Sequence, residues 1–128
     1  MKLSVLFIIT AIIAIVYGVV FVIIPGPVYS IYGIESNMVL DYMGRLFGSA
    51  LIAVGLISWQ SRNAADSDAR KAIIFSFFIA DGIGFIVALI GQLNEVVNPV
   101  GWTTVVIYFI LSFGFAYFQF SKPGSAAS

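Results

Sequence analysis

The sequence predicts an all-α integral membrane bundle of four transmembrane helices. Its 128 residues are 61% hydrophobic and 9% charged, with a mean hydropathy of +1.08, whereas soluble domains are about 45–50% apolar and about 25% charged. Crossing roughly 30 Å of hydrocarbon takes about 20 helical residues, and the chain contains four apolar runs of that length. Each run is separated from the next by residues typical of turns.

The first run, span one, covers about residues 3–24 and has no charged residue. It exceeds the apolar region of a signal peptide, which is about 7–15 residues long, so we expect an uncleaved first span. It stops at the Pro-Gly-Pro of residues 25–27, where proline removes a backbone donor. Tyr29 and Tyr32 follow, three residues apart. This spacing predicts a short helix at the membrane interface with both rings on one side.

Spans two, three and four cover about residues 39–60, 72–93 and 100–120. Their starts carry helix-capping residues. Glu35, Ser36 and Asn37 supply a polar turn and a candidate cap for span two. Ser67 or Asp68 is the candidate cap for span three, and Pro99 suits a place at or near the first position of span four. We therefore predict one domain over residues 1–128, in which residues 121–128 form a small, polar, disordered tail.

Basic residues predict the orientation of the bundle. Those near the span ends all fall on one side of the predicted membrane: Lys2, Arg62, Arg70, Lys71 and Lys122. Lysine and arginine are enriched in cytoplasmic loops. We expect a multi-pass protein of the cell membrane with both termini in the cytoplasm.

Composition also removes several classes of function. The chain has no Cys and no His, which excludes thiol redox chemistry, thiolate metal sites and imidazole ligands. Six basic and six acidic residues give a net charge of zero, whereas nucleic-acid binding requires clustered positive charge. No metal, cofactor or nucleic-acid partner is predicted.

Three charged residues form the candidate intramembrane polar site. Arg45 lies inside span two and Asp81 near the centre of span three, and a charge in hydrocarbon usually faces protein, water or a counter-charge. Arg45 has two candidate partners. Asp41 precedes it by one helical turn, and Asp81 is within reach of an arginine that tilts inward. The sequence leaves open whether Arg45 pairs with Asp41, pairs with Asp81 or lies open to water.

Glycines in spans two and three predict close helix packing, because small residues let helix backbones approach in a membrane. Five are candidates for this role: Gly44, Gly48, Gly55, Gly82 and Gly84. Packing within the chain is the default interpretation, and a dimer face is the alternative. The pair beside Asp81 would also make room for a substrate or a bend.

Hydroxyl groups on span four form a candidate polar seam. Thr104, Tyr108 and Ser112 recur every four residues and share one helix face. They are expected either to line a path toward Asp81 or to bond to their own helix, and the second interpretation is favoured.

Residues 45–48, RLFG, and 50–56, ALIAVGL, within this four-span layout resemble the small DoxX-like membrane proteins of bacteria and archaea. The resemblance implies a compact four-helix bundle that is sometimes an accessory subunit of a membrane oxidoreductase. The resemblance assigns no catalytic residue to this chain.

The expected function is that of a non-catalytic accessory or assembly protein that binds a lipid or a quinone-like ligand. Its partners would be the lipid bilayer, another membrane protein or further copies of itself, and the lipophilic ligand. The alternative is a small oligomeric transporter or channel that uses Asp81 and Arg45. An enzyme ranks third, because one deep carboxylate and one arginine offer little for acid–base chemistry.

Overall fold

A computed structural model describes residues 1–121, and within this range the protein is an all-α bundle without strands. Its helices are α1 (Leu3–Ile23), α2 (Pro25–Ile31), α3 (Met38–Ser61), α4 (Asp68–Leu93) and α5 (Trp102–Phe120), with a 3₁₀ turn (Pro99–Gly101) before α5. Four helices are long and apolar enough to cross a membrane: α1, α3, α4 and α5 with its preceding turn. The chain is therefore a membrane protein. Apart from Ser121, the predicted tail lies outside the described residues.

Local sequence determines where the long helices begin. The side chain of Asn37 accepts a hydrogen bond from the backbone N–H of Leu40 at 3.0 Å, and Ser67 does the same for Arg70 at 3.2 Å. Each bond satisfies one of the N–H groups that have no partner inside the helix. Pro99 opens the turn before α5, a position that tolerates the missing N–H.

The helices associate as two close pairs, α1 with α3 and α4 with α5, and α1 also contacts α5. The backbones of α1 and α3 meet at Gly18 and Gly48. A Cβ atom added to Gly48 would lie 2.6 Å from the carbonyl oxygen of Gly18. Because no side chain separates the two backbones, the helices gain van der Waals contact along this line.

We call the end of the bundle that holds the N-terminus, the α3–α4 loop and the end of α5 the terminal end. Its half of the bundle contains the apolar core, which joins α1, α4 and α5. The rings of Phe7, Phe77 and Phe115 lie 5.2–6.4 Å apart, centroid to centroid. The other buried members are Leu3, Leu6, Ile74, Leu111 and Phe118. These side chains fill the space between α1, α4 and α5 in this half.

The α3–α4 loop at the terminal end is ordered by the buried Arg70. Its guanidinium lies 3.3 Å from the Asp66 carboxylate and donates to the carbonyl of Ala64 at 3.2 Å. This is the one ion pair within 4.0 Å among residues 1–121.

We call the opposite end, with α2 and the α4–α5 loop, the connector end. Asn98 joins the two helix pairs there, since its backbone N–H donates to Tyr32 O at 3.0 Å and its side-chain amide to Ile31 O at 2.9 Å. Gly33 has a φ of +76°, and a Cβ at this position would lie 3.1 Å from the Asn98 amide nitrogen. Glycine thus permits both the turn and the contact. The pairs are joined at both ends, by apolar packing at one and by hydrogen bonds at the other.

Candidate functional site

A cavity of ≈390 Å³ lies between the two helix pairs, and we call it the connector cavity. Its walls come from the middle and the connector-end parts of the long helices, together with α2 and the two connector loops. Most lining side chains are aliphatic or aromatic, and the polar members are Thr10, Tyr17, Tyr29, Tyr32, Asp81, Thr104 and Tyr108. The bundle is thus packed between α1, α4 and α5 toward the terminal end and hollow toward the connector end, while a second pocket of ≈360 Å³ lies beside the α3–α4 loop.

Asp81 is the one carboxylate among the residues that line this cavity. It lies 12 residues before the end of α4, about 18 Å along the helix axis, which corresponds to the middle of a membrane. Its Oδ2 atom is buried and has no hydrogen-bond partner among the described residues. A buried polar atom without a partner is costly and calls for an explanation.

The two glycines next to Asp81 let α5 approach α4. A Cβ added to Gly84 would lie 2.5 Å from the ring of Tyr108, and one added to Gly82 would lie 3.3 Å from Ser112 Oγ. The ring of Tyr108 therefore packs against the α4 backbone one turn after Asp81. This contact holds an aromatic ring beside the carboxylate at the cavity wall.

The predicted seam on α5 faces other segments of the chain. Tyr32 and Thr104 share a hydrogen bond between hydroxyls at 3.0 Å, and Ser112 donates to the carbonyl of Phe78 on α4 at 3.4 Å. Bonding of these two hydroxyls to their own helix, which the sequence favoured, is wrong. Thr104 instead meets the hydroxyl of Tyr32 after α2, and the close α4–α5 contact brings the Phe78 carbonyl to Ser112. Thr104 and Tyr108 line the cavity, whereas Ser112 lies outside its lining.

Three tyrosines outside span four also line the cavity, and the sequence did not assign them to a site. Tyr29 donates to Leu40 O at 2.6 Å. Partial burial and the nearby Asp41 carboxylate raise the pKa of its hydroxyl, so the group remains a donor. Tyr17 is the tyrosine of span one, and its seven-residue spacing from Thr10 places both on one helix face. This seven-residue spacing is the sequence signal by which the α1 side of the cavity could have been predicted.

Arg45 lies apart from the cavity. Its side chain is exposed, it is not among the lining residues, and within residues 1–121 neither Asp41 nor Asp81 comes within 4.0 Å of it. Of the three arrangements left open by the sequence, the structure shows the unpaired one. Arg45 lies seven residues into α3, about 10 Å from the helix start, so its long side chain can reach the headgroups. Asp41 occupies the first turn of α3, where the helix dipole favours a carboxylate.

The glycines of α3 pack inside the chain. A Cβ on Gly44 would lie 2.5 Å from the hydroxyl oxygen of Tyr29, and Gly55 is buried against Ile15 and the backbone of α1. Together with Gly48, they form the surface that α3 presents to α1 and α2.

Replacing Arg45 by glutamine is expected to change the free energy of unfolding by no more than about 0.5 kcal/mol, because an exposed side chain without a partner contributes little. The measurement is the thermal midpoint of the purified protein in mild detergent, with Arg45→Lys as the charge-preserving control. A large loss of stability in the glutamine variant alone would show that the guanidinium has a partner.

The family model described as "Domain of unknown function (DUF8292)" matches residues 1–121, the stretch that forms the bundle. No curated protein and no solved structure matches the chain. We therefore infer the function from the geometry of the connector cavity.

Proposed function

We propose that this chain, which belongs to the DUF8292 family, is a non-catalytic accessory protein of the cell membrane that holds one lipophilic molecule in its connector cavity. The cavity itself carries the proposal. An accessory role also implies a partner in the bilayer, either another membrane protein or further copies of this chain. The likeness to DoxX-like proteins is not tested by the family match and stays a prediction.

The size of the cavity favours a binding site over a packing defect. Protein interiors are close-packed, and few voids exceed a water molecule. An engineered apolar cavity of roughly 150 Å³ binds benzene or xenon, and sites for small molecules span roughly 300–1,000 Å³. At ≈390 Å³, the connector cavity falls within the second range.

The chemistry of the walls favours a molecule with an apolar body and a small polar part. Aliphatic and aromatic side chains make up most of the lining, and the polar groups are few. Lipid tails and quinone-like rings both meet this description. Pockets of this type use a few placed polar groups to orient a ligand.

We place the route of entry between α3 and α4, which belong to different helix pairs. Phe47 on α3 and Val87 on α4 line the cavity, yet 45% and 64% of these residues are exposed. They lie about 14 and 9 Å from the connector ends of their helices, at the depth of lipid tails. A lipophilic molecule could therefore enter from the bilayer without crossing water.

The proposed orientation places both termini in the cytoplasm and the cavity in the outer half of the membrane. Lys2, Arg62, Arg70 and Lys71 lie at the terminal end of the bundle, and an excess of such residues marks the cytoplasmic side. The headgroups near Arg45 would then be those of the outer leaflet.

A small oligomeric transporter or channel is the second proposal, and Asp81 is the observation that favours it, since intramembrane carboxylates often serve ion paths. Within the described chain, the apolar core fills the terminal half, so a path would have to form between copies or after a rearrangement. Its test is cation flux in proteoliposomes. Flux equal to that of empty vesicles, or unchanged by Asp81→Asn, would reject it.

Filling the cavity tests the binding proposal. Gly91 lines the cavity, and a Cβ added there meets no atom within 4 Å, so Gly91→Phe introduces a ring at the cavity wall from an unobstructed position. We expect the folded protein to lose a co-purified lipophilic molecule, with the bound fraction falling roughly tenfold or more. Native mass spectrometry after mild detergent extraction measures this fraction.

Ile90→Phe is the matched control, because Ile90 is 54% exposed and does not line the cavity. This variant should retain the bound molecule at the level of the original protein. The proposal fails if the original protein carries no such molecule, or if both variants retain it equally.

A further inference from the structure

We propose that the molecule in the connector cavity is a lipophilic organic cation, whose substituted ammonium group lies beside the Asp81 carboxylate among tyrosine rings. This inference rests on the proposed binding function and specifies the chemical class of its ligand. It also accounts for a buried carboxylate that the rest of the fold does not use.

Asp81 has no cationic partner within the bundle. No lysine or arginine lines the cavity, and within the described chain the one ion pair is that of Arg70 with Asp66 at the terminal end. Arg45 is exposed on α3, and Lys71 is exposed in the first turn of α4. The Asp81 Oδ2 atom is thus buried without a hydrogen-bond partner from residues 1–121. A charge at this depth is expensive unless it is paired, and a cationic ligand supplies the missing partner.

Four of the six other polar side chains of the cavity make hydrogen bonds within the protein. Thr10 donates to Leu6 O at 2.9 Å, and Tyr29 donates to Leu40 O. Tyr32 shares a hydrogen bond with Thr104. The hydroxyls of Tyr17 and Tyr108 are outside this set, so the hydroxyl groups do not distinguish a quinone from a cation. The group that distinguishes them is the Asp81 carboxylate. The group that lacks a partner is an acceptor, and it calls for a cation or a donor.

The aromatic walls favour a cation of low hydration. Tyr108 is held beside Asp81 by its contact with Gly84, and Tyr17, Tyr32 and Phe21 line the same cavity. Ring faces attract ammonium groups within roughly 6 Å, and cages of such rings recognise quaternary ammonium. A carboxylate combined with rings matches a substituted ammonium, while the aliphatic lining accommodates its hydrocarbon part.

Two probes of the same shape, one charged and one neutral, distinguish the contribution of charge to the binding affinity from that of apolar contact. Octyltrimethylammonium and 2,2-dimethyldecane differ only in having a quaternary nitrogen or a quaternary carbon. We expect the original protein in nanodiscs to bind the ammonium at least roughly tenfold more tightly than the alkane. Asp81→Asn should remove this preference and leave the affinity for the alkane unchanged, whereas Asp81→Glu should retain it.

Gly91→Phe is the control for partition into the lipid, because it should abolish binding of both probes to the protein. The comparison of the two probes on the original protein needs no variant, so it stands even if Asp81→Asn does not fold. Equal affinity for both probes overturns the cation inference and leaves the binding function intact. Absence of binding by either probe overturns both, and tighter binding of a short-chain benzoquinone than of the ammonium overturns the inference alone.

Discussion

Replacing Gly48 by leucine is expected to separate α1 from α3 and to abolish the folded bundle. Even a single added Cβ would lie 2.6 Å from Gly18 O and 2.9 Å from Phe21 Cβ. A backbone carbonyl cannot move away as a flexible side chain can, so the helices themselves must part. The loss should exceed about 3 kcal/mol, the upper part of the usual range for overpacking.

The measurement is the fraction of monodisperse protein in size-exclusion chromatography after heating in mild detergent. Gly91→Leu is the matched control, since the same side chain at Gly91 enters open space and also replaces a helical glycine. A Gly48→Leu variant as stable as this control would contradict the close α1–α3 contact.

Truncation of Phe115 to alanine is expected to cause the second large loss. The residue is 0% exposed, and its ring lies 5.6 Å from that of Phe7 and 5.2 Å from that of Phe77. Removing it leaves a void at the point where α1, α4 and α5 meet. Such changes cost about 3–5 kcal/mol in soluble cores. We expect a loss of roughly 3 kcal/mol here. In a membrane the side chain moves between protein and lipid, so the hydrophobic transfer term is small, and the lost van der Waals contacts account for most of the effect.

Phe113→Ala is the corresponding control, because Phe113 lies two residues away on α5 and is 68% exposed. Unfolding by SDS in mixed micelles should show a large shift of the midpoint for Phe115→Ala and a small one for Phe113→Ala. Equal shifts would show that the packed half does not depend on this aromatic contact.

Gly48→Leu tests the contact within the α1–α3 pair, and Phe115→Ala tests the contact between the two helix pairs. The aromatic core holds the helix pairs together at the terminal end, and Asn98 with its hydrogen bonds holds them at the connector end. Between these two attachments the pairs stand apart. The connector cavity is thus a consequence of how the pairs are joined, and the proposed ligand occupies the space they leave.

The sequence by itself determined the class of fold and the bounds of its elements. The predicted spans agree with the long helices to within a few residues, and Asn37, Ser67 and Pro99 mark helix starts as expected. These features depend on neighbours within one or two helical turns and on the length needed to cross hydrocarbon. Such information is present in any short window of the chain.

Tertiary structure alone decided the surroundings of Arg45 and Asp81. Helical spacing places a residue on a face, but which face meets another helix depends on how each helix is rotated and which helices pair. Glycine contacts bring α1 to α3 and α5 to α4, leaving Arg45 exposed and Asp81 at a cavity. Contacts between distant segments set these rotations, so the spacing of charges along the chain could not reveal that Asp81 would lack a cationic partner among residues 1–121.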